Sequence, residues 1–597
     1  MPLTALLSSA LLCLGAAGCG ETKVHTKASL PSGTGATVAA AENAVTISPL
    51  PGTLDASPRT QISILGPKGT IVRSVHAVGA KSGLHEGRIE AYSTGTGESF
   101  LPARHFRPGE MVGINAQVLV DGHEESVGTS FKVQREVGEP TAPFPHRPGN
   151  PAEALHFASA PSLTPSGIKV LTAPKPGIAQ GDFFLAPYQG TGSPGPMIVS
   201  PSGRLIWFHP LPAGYSATNL QVQTYEGKPV LTWWQGRILK LGFGQGEDVV
   251  YSSSYQPITT IKAGNGLHAD LHVITITPEG TAWIDAFYPI HMDLAAYHGA
   301  ADGVLSDSVV QEVDVKTGLV MWEWHALGHI PLAYSKNPAP HTSYPWDAYH
   351  LNSVAPDGNG NLLISVRNTW TLYDLSIHTG GFAWQFGDGS RSSFKLGSGV
   401  RFYWQHDARW QPGGLISVFD NGSTPPKEKQ SSGLLLRPEE SRHRISLVKR
   451  FVNTSRTLLA GSQGSVQQLA GGDWLLGYGE LPNFTEFNSS GQIIYDARLG
   501  KNTQDFRTYE FPWSATPAQP PEFTLSGGAV HASWNGATEV ASWRLLAGSS
   551  ASSLAPVSTA RSNGFEITIS APSAAYLQVQ ALNAAGQAIG TSHVLHA

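Results

Sequence analysis

A hydroxyl residue, a glycine, three further residues and an aromatic recur four times in the middle of the chain: "SGRLIW" from Ser202, "TGLVMW" from Thr317, "TGGFAW" from Thr379 and "SGQIIY" from Ser490. Strand-like runs lead into them, as in "EVDVKTGLVMW" and "LYDLSIHTGGFAW". Each therefore reads as a strand, a tight glycine turn and a second strand ending on an aromatic, the outer hairpin of a propeller blade. Inner strands fall in the same register at "GDFFLA", "NLQVQTYEGKPVLTWW", "DLHVITITPEGTAWIDAF", "HLNSVAPDGNGNLLISV", "WQHDARWQPGGLISVF" and "QGSVQQLAGGDWLLGYG". These segments predict a six-bladed β-propeller over 161–514. Radial repetition of four-stranded sheets hides the edges that one open sheet of that size exposes.

The flanks carry a different pattern. Alternating runs such as "TQISIL", "GRIEAY" and "TSFKVQ" between Pro and Gly turns suit a small β-sandwich over 44–136, and "GEPTAPFPHRPGNP" marks a linker over 137–160. Residues 515–597 resemble a fibronectin type III or immunoglobulin-like module. The predicted fold class is all-β, a six-bladed propeller flanked by two small immunoglobulin-like or fibronectin-like sandwiches. A chain of 597 residues with 41% apolar content can fill several such cores. Only 14% of residues are charged, the formal net charge is -5 and no basic run occurs, which argues against nucleic acid as a partner.

"MPLTALLSSALLCLGAAGCGE" reads as an export signal over 1–19, followed by a Gly/Thr/Ala-rich tether over 20–43. "AAGC" resembles a bacterial lipobox, so the expectation is an exported protein anchored at the cell envelope through a lipid on Cys19, or otherwise secreted. Membrane contact is expected only through that lipid. The other cysteine, Cys13, lies within the signal, which leaves the mature chain no disulfide, no zinc–thiolate site and no thiol nucleophile.

Chemistry must then come from other side chains. Inner strands of a propeller converge on one axial channel, so residues at their starts can meet although distant in sequence. His272 opens "HVITIT", His350 opens "HLNSVAPDG" and His406 sits in "RFYWQHDARW", while Arg367 follows the second strand of the His350 segment. A single histidine in a β-protein is most simply structural, and His291, His298, His325, His329, His341 and His378 are read that way. Asp407 and Arg409 read as an ion pair locking blades, and the tryptophans at 322, 370, 384, 404 and 410 as packing. Three histidines in corresponding places are harder to assign to packing alone.

The segments "ADLHVITITPEGTA", "DAYHLNSVAPDGNGNLLISVRNTWTLYDLS", "TGGFAWQFGDGSRSSFKLGSGVRFYWQHDARW" and "VFDNG" together resemble the arylsulfate sulfotransferase (arylsulfotransferase) family. The resemblance implies a six-bladed propeller that moves a sulfuryl group from an aryl sulfate to a phenol, without a nucleotide donor, through a sulfated histidine. It matches His406 to that histidine, His350 and Asn352 to a channel histidine and its asparagine, Arg367 to a channel arginine and His272 to the remaining histidine. His268, four residues earlier, is the alternative to His272. Val273 stands where relatives often have an acidic residue, and Asn368 where histidine is common. Trp404 is among the aromatics that would stack the aryl ring. The implied partners are small phenols and aryl sulfates; no cofactor or metal is demanded.

The residue types suit that chemistry on their own terms. Sulfuryl transfer needs a nucleophile, proton transfer at the phenolic oxygen and fixed positive charge on three electron-rich oxygens. Imidazole serves the first two near neutral pH, and guanidinium the third. Two other readings stand beside it. One is a cell-surface propeller that binds a ligand without turnover. The other is a quinone-dependent redox propeller, because "D..TG...W" occurs in full at Trp322.

Overall fold

The computed structural model describes residues 45–597 except 139 and 177. The expected signal, Cys19 and the tether lie outside the described residues. Short β-branched and aromatic runs punctuated by Gly and Pro give strands joined by turns, with helix confined, among the described residues, to single 3-10 turns. The protein is all-β.

Six antiparallel sheets follow one another from 169 to 511. The second is Ser216–Tyr225, Lys228–Ile238, Gly244–Tyr251 and Pro257–Ile261; the third is Ile274–Ile276, Thr281–Met292, Gly303–Asp314 and Val320–His325. Leu351–Pro356, Asn361–Val366, Thr371–Ser376 and Phe382–Phe386 form the fourth, and His406–Gln411, Leu415–Asp420, Ser432–Glu439 and Arg444–Phe451 the core of the fifth. The sixth runs Ser465–Gln468, Trp474–Gly477, Asn483–Phe487 and Ile493–Arg498. All four glycine turns of the sequence repeat join the third and fourth strands of their sheets. Gly203, Gly318, Gly380 and Gly491 sit there at φ of 80°, 74°, 68° and 85°, the left-handed region that a side chain disfavours.

The first sheet departs from the sequence reading. "GDFFLA" supplies its second strand, Asp182–Leu185, and the leading position is taken by Tyr509–Phe511 from the far end of the region. Lys169–Thr172 in turn adds a fifth strand beside Ile493–Arg498 of the sixth sheet. Only long-range pairing distinguishes these positions, and no local pattern in the sequence carries it. Both ends of the six-sheet region are thereby tied by strand hydrogen bonds.

Polar side chains stitch neighbouring sheets near their leading strands. Thr218 Oγ1 and Asn219 Nδ2 donate to Leu271 O (2.8 and 2.7 Å), Ala408 N donates to Ser353 Oγ (3.0 Å), and Val466 N donates to Asp407 Oδ2 (3.0 Å). Trp322 and Trp324 pack between the third and fourth sheets, their Nε1 donating to Ile377 O and Gly380 O at 2.8 and 3.0 Å. The Asp407–Arg409 pair forms as expected (2.7 Å), and Arg409 Nη2 reaches Tyr509 OH at 2.5 Å. Arg507, 3% exposed at its side chain, joins three sheets: it donates to Asn219 Oδ1 (3.2 Å) and Asn352 O (2.7 Å) and lies 3.4 Å from Asp407 Oδ1. Burial alone raises the Asp407 pKa, but Arg409 and Arg507 overcome it and hold the carboxyl below its ordinary value.

Replacing Arg507 by methionine keeps most of the volume while orphaning two buried acceptors and removing one of the two cations beside Asp407. Loss of one partner from a buried charge network costs about 3–5 kcal/mol, and the remaining Arg409 places Arg507→Met near ~3 kcal/mol. Chemical denaturation followed by tryptophan fluorescence checks this; a change below ~1 kcal/mol contradicts it.

Two four-stranded sheets before this region share one core that includes Ile62, Phe100, Val118 and Phe131. They dock on the third sheet: Ser63 Oγ donates to Val320 O (2.6 Å), and Ser93 Oγ to Asp314 Oδ1 (2.7 Å). After the region, two further sheets enclose Val530, Leu545, Ile567 and Val579. Asn535 holds them to the first sheet by exchanging both of its amide bonds with the backbone of Phe208 (3.0 and 2.9 Å).

Candidate active site

The leading strands deliver three histidines to one place. His406 is the first residue of its strand, His350 immediately precedes Leu351–Pro356, and His272 lies two residues before Ile274–Ile276. All three are buried, and their rings form a chain, with centroids 5.0 Å apart from His272 to His350 and 6.2 Å from His350 to His406. Arg367, at the end of Asn361–Val366, joins them. The four residues and Trp404 line a single cavity of about 280 Å³, close to the lower limit of ordinary small-molecule sites. Phe144, Tyr188 and Phe506 supply aromatic wall. A larger hollow of about 610 Å³ elsewhere, lined by Gln221, Gln411 and Tyr509, has no imidazole or carboxylate on its wall.

The partners of the three imidazoles differ. His272 Nδ1 meets Asp270 Oδ2, and His350 Nδ1 meets Asp347 Oδ2 at 2.6 Å. A carboxylate behind each imidazole fixes its orientation. His406 is backed by a neutral amide instead. Asn421 donates both amide hydrogens, to Ala460 O (3.2 Å) and Gln463 O (2.9 Å), so its Oδ1 accepts the Nδ1–H of His406 at 2.7 Å. Nε2 of His406 is then the nitrogen with the lone pair, and it accepts the backbone N–H of Gln463 at 3.1 Å.

The pKa shift is largest at His406. Burial, the Arg367 cation and His350 push the His406 pKa well below its ordinary value, so its Nε2 stays unprotonated. Burial also lowers His272, against the opposing pull of Asp270. Arg367 is brought down by burial to about 10 and remains cationic at neutral pH. Its Nη1 and Nη2 are held by Asn368 Oδ1 (2.8 Å) and Gly461 O (2.9 Å), and its guanidinium lies 5.0 Å from the Trp404 ring. Arg367 Nε and Trp404 Nε1 have no hydrogen-bond partner among the described residues, so two buried N–H donors border the cavity. Three residues at this site, His350, Trp404 and Gln463, have left-handed backbones at φ of 54°, 58° and 64°. Each costs on the order of 1–3 kcal/mol, a strain that persists where the surroundings fix a special side-chain direction.

Two expected substrate contacts fall elsewhere. Asn352 is fully buried and donates to Gln405 O at 2.8 Å, while its carbonyl takes Arg507; it joins sheets and is not on the cavity wall. His268 is exposed and belongs to a separate small cleft with Phe243 and Phe287, because its position precedes the turn that carries His272 inward. His272 is the member of that pair on the cavity.

Asp270, Asp347, Asn421, Gln463 and Phe506 were not assigned site roles by sequence reading. A signal existed for two of them, since Asp-x-His and Asp-x-x-His spacings precede His272 and His350. The sequence also gave no sign of a carboxylate cluster, yet Asp270, His272 and Asp285 come within ligating distance of one another beside the cavity. Most of their atoms are committed internally: Asp270 Oδ1 accepts Gly244 N (2.5 Å) and Asp285 Oδ1 accepts Val273 N (3.0 Å). Burial, with the neighbouring acids, raises Asp285 and Asp248 well above ordinary carboxyl values, which favours protons there.

Residues 221–500, which contain every residue of this site expected from the sequence, match the family model described as arylsulfotransferase (ASST). That span, just under half of the chain, is an arylsulfotransferase-family domain. Membership implies a sulfotransferase enzyme. No curated protein is similar to the chain by sequence. Solved structures are similar only distantly. A quinonprotein alcohol dehydrogenase-like protein from Bacteroides thetaiotaomicron has 9% identity and a TM-score of 0.23, over 77% of this chain and 96% of its own. A DUF4623 family protein from Bacteroides eggerthii has 9% identity and a TM-score of 0.27, over 75% and 90%. A Hadza microbial sialidase has 10% identity and a TM-score of 0.29, over 76% and 99%. Likenesses this weak carry nothing about function.

Proposed function

We propose that this arylsulfotransferase moves a sulfuryl group from an aryl sulfate to a phenol through a covalent adduct on His406 Nε2, in the channel of a closed six-bladed propeller. The six sheets with interlocked ends support the closed ring. The observation that carries the chemistry is the contrast among the imidazoles: burial, Arg367 and His350 hold His406 neutral, and Asn421 fixes its lone pair on Nε2, while His272 and His350 are backed by carboxylates.

In the first half-reaction Nε2 attacks sulfur, the N–S bond forms and the S–O bond to the aryl group breaks. The departing oxygen takes a proton from His350, which Asp347 orients through Nδ1. The adduct retains its Nδ1–H on Asn421 and so carries an imidazolium-like ring, a good leaving group. In the second half the same histidine takes the acceptor phenol's proton, the phenolate attacks sulfur, and the N–S bond breaks to restore His406. During attack Nε2 exchanges the Gln463 N–H for sulfur, which frees that N–H to meet a sulfuryl oxygen.

The test mixes purified protein with 4-nitrophenyl sulfate and a phenol acceptor and follows nitrophenolate release. Acceptor-dependent release with ping-pong kinetics supports the proposal; no turnover with any aryl sulfate donor contradicts it. Proton delivery makes a sharper prediction. His350→Ala is expected to lower kcat/KM for phenyl sulfate by roughly 10²–10⁴-fold, the ordinary reach of a general acid. The loss for 4-nitrophenyl sulfate should be much smaller, because its phenol departs without a proton. Equal losses on both donors rule out the acid role.

A further inference from the structure

His325 was read from sequence as structural, yet its surroundings suit a ligand. It ends the strand Val320–His325, faces Asp307 of Gly303–Asp314, and meets Asp55, which comes from the preceding pair of sheets. All three are buried to 2% exposure or less. Asp55 Oδ1 and Oδ2, Asp307 Oδ2 and His325 Nδ1 have no directed hydrogen bond among the described residues. Their one shared contact is His325 Nδ1, and buried carboxylates held so sparsely are costly, so a further positive charge fits among them.

The geometry favours a metal ion over further hydrogen bonds. His325 Nε2 lies 3.2 Å from Glu323 Oε1, which takes its N–H and leaves the Nδ1 lone pair facing the two aspartates. Glu323 is itself fixed, its other oxygen accepting from Asn265 Nδ2 (2.8 Å) and Gln311 Nε2 (2.5 Å). A histidine oriented through its second nitrogen by a carboxylate is the usual arrangement behind a metal. Asp307 is oriented likewise: Leu327 N donates to Oδ1 at 3.0 Å, leaving Oδ2 available. The contacts of His325 Nδ1 with Asp55 Oδ1 and Asp307 Oδ2 are 3.2 and 3.4 Å. These match an edge of a tetrahedron around zinc, roughly 3.3 Å for bonds of about 2.0–2.1 Å.

We propose that Asp55, Asp307 and His325 bind a divalent transition ion, of the zinc or manganese kind, that fastens the preceding pair of sheets to the third sheet. One imidazole and two carboxylates suit such ions better than magnesium or calcium, which prefer oxygen alone. None of the three residues lines the histidine cavity, so the ion is structural.

The test uses the full chain produced in zinc- and manganese-supplemented medium. Metal analysis after desalting is expected to find about one equivalent more in the parent than in Asp55→Asn, with Asp285→Asn keeping that equivalent. A chelator should lower the melting temperature of the parent, with recovery on adding zinc or manganese, and leave Asp55→Asn unmoved. Hydrogen exchange on the parent with and without chelator is independent of any variant, and protection should fall around 50–60 and 303–327. Equal metal content in parent and Asp55→Asn, or no response of melting and exchange to chelator or added ion, overturns the proposal and leaves protons holding the cluster together.

Discussion

His406→Ala is expected to fold and to lose turnover by roughly 10⁴-fold or more, the scale on which removing a covalent nucleophile acts. Release of the first phenol and transfer to the acceptor should vanish together, because the second half-reaction needs the adduct made in the first. The neighbouring imidazoles cannot substitute. His272 and His350 each have Nδ1 on an aspartate, whereas His406 has its Nδ1–H on a neutral amide and its Nε2 defined as the basic nitrogen. Since burial and Arg367 hold His406 well below its ordinary pKa, it remains a nucleophile at mildly acidic pH. The same shift lowers stability there: below about 6.5 the unfolded chain binds a proton that folded His406 refuses. His406→Gln fills the site without a nucleophile, so equal inactivity of both variants, at near-parental melting temperature, separates chemistry from packing. Retention of near-parental turnover by either variant contradicts the role.

The second large effect is expected at Arg367. Its guanidinium is positioned by Asn368 and Gly461 on one side and the Trp404 face on another, with Nε–H still unpaired among the described residues. A charge fixed before the reaction stabilises the sulfuryl oxygens without reorganisation, and loss of one such donor typically costs about 10²–10³-fold. Arg367→Ala should therefore fall by that factor in kcat/KM for both donor and acceptor. Arg367→Lys keeps the charge but not the fork, and should recover only part of it. Parental kcat/KM in Arg367→Ala would assign the residue to packing against Trp404.

The repeated glycine hairpins and strand-head histidines were legible because they rest on local rules: a left-handed glycine turn, and a residue's position relative to its strand. Placement of Tyr509–Phe511 beside Asp182–Leu185 was not, since strands so distant in sequence pair by topology alone. The same limit hid Arg507 and Asp55. Their partners lie on other sheets, and "NTQDFRTYE" and "TLDASP" read as ordinary loop sequence. Asn352 shows the converse error: its place in a motif suggested substrate contact, whereas its amide joins the fourth sheet to the fifth. Buried partners such as Asn421 decide which histidine is the nucleophile, and spacing alone cannot rank three imidazoles.

The central claim is the covalent adduct, and trapping it is the most direct test. The parent protein is mixed with sulfur-labelled 4-nitrophenyl sulfate without acceptor, quenched in alkali to preserve the N–S bond, and digested for mass spectrometry. The account predicts one sulfuryl group on the peptide containing His406, discharged when phenol is added before the quench and absent from His406→Ala. Label on His272, His350 or a tyrosine, or turnover with no labelled peptide at any time, would contradict it.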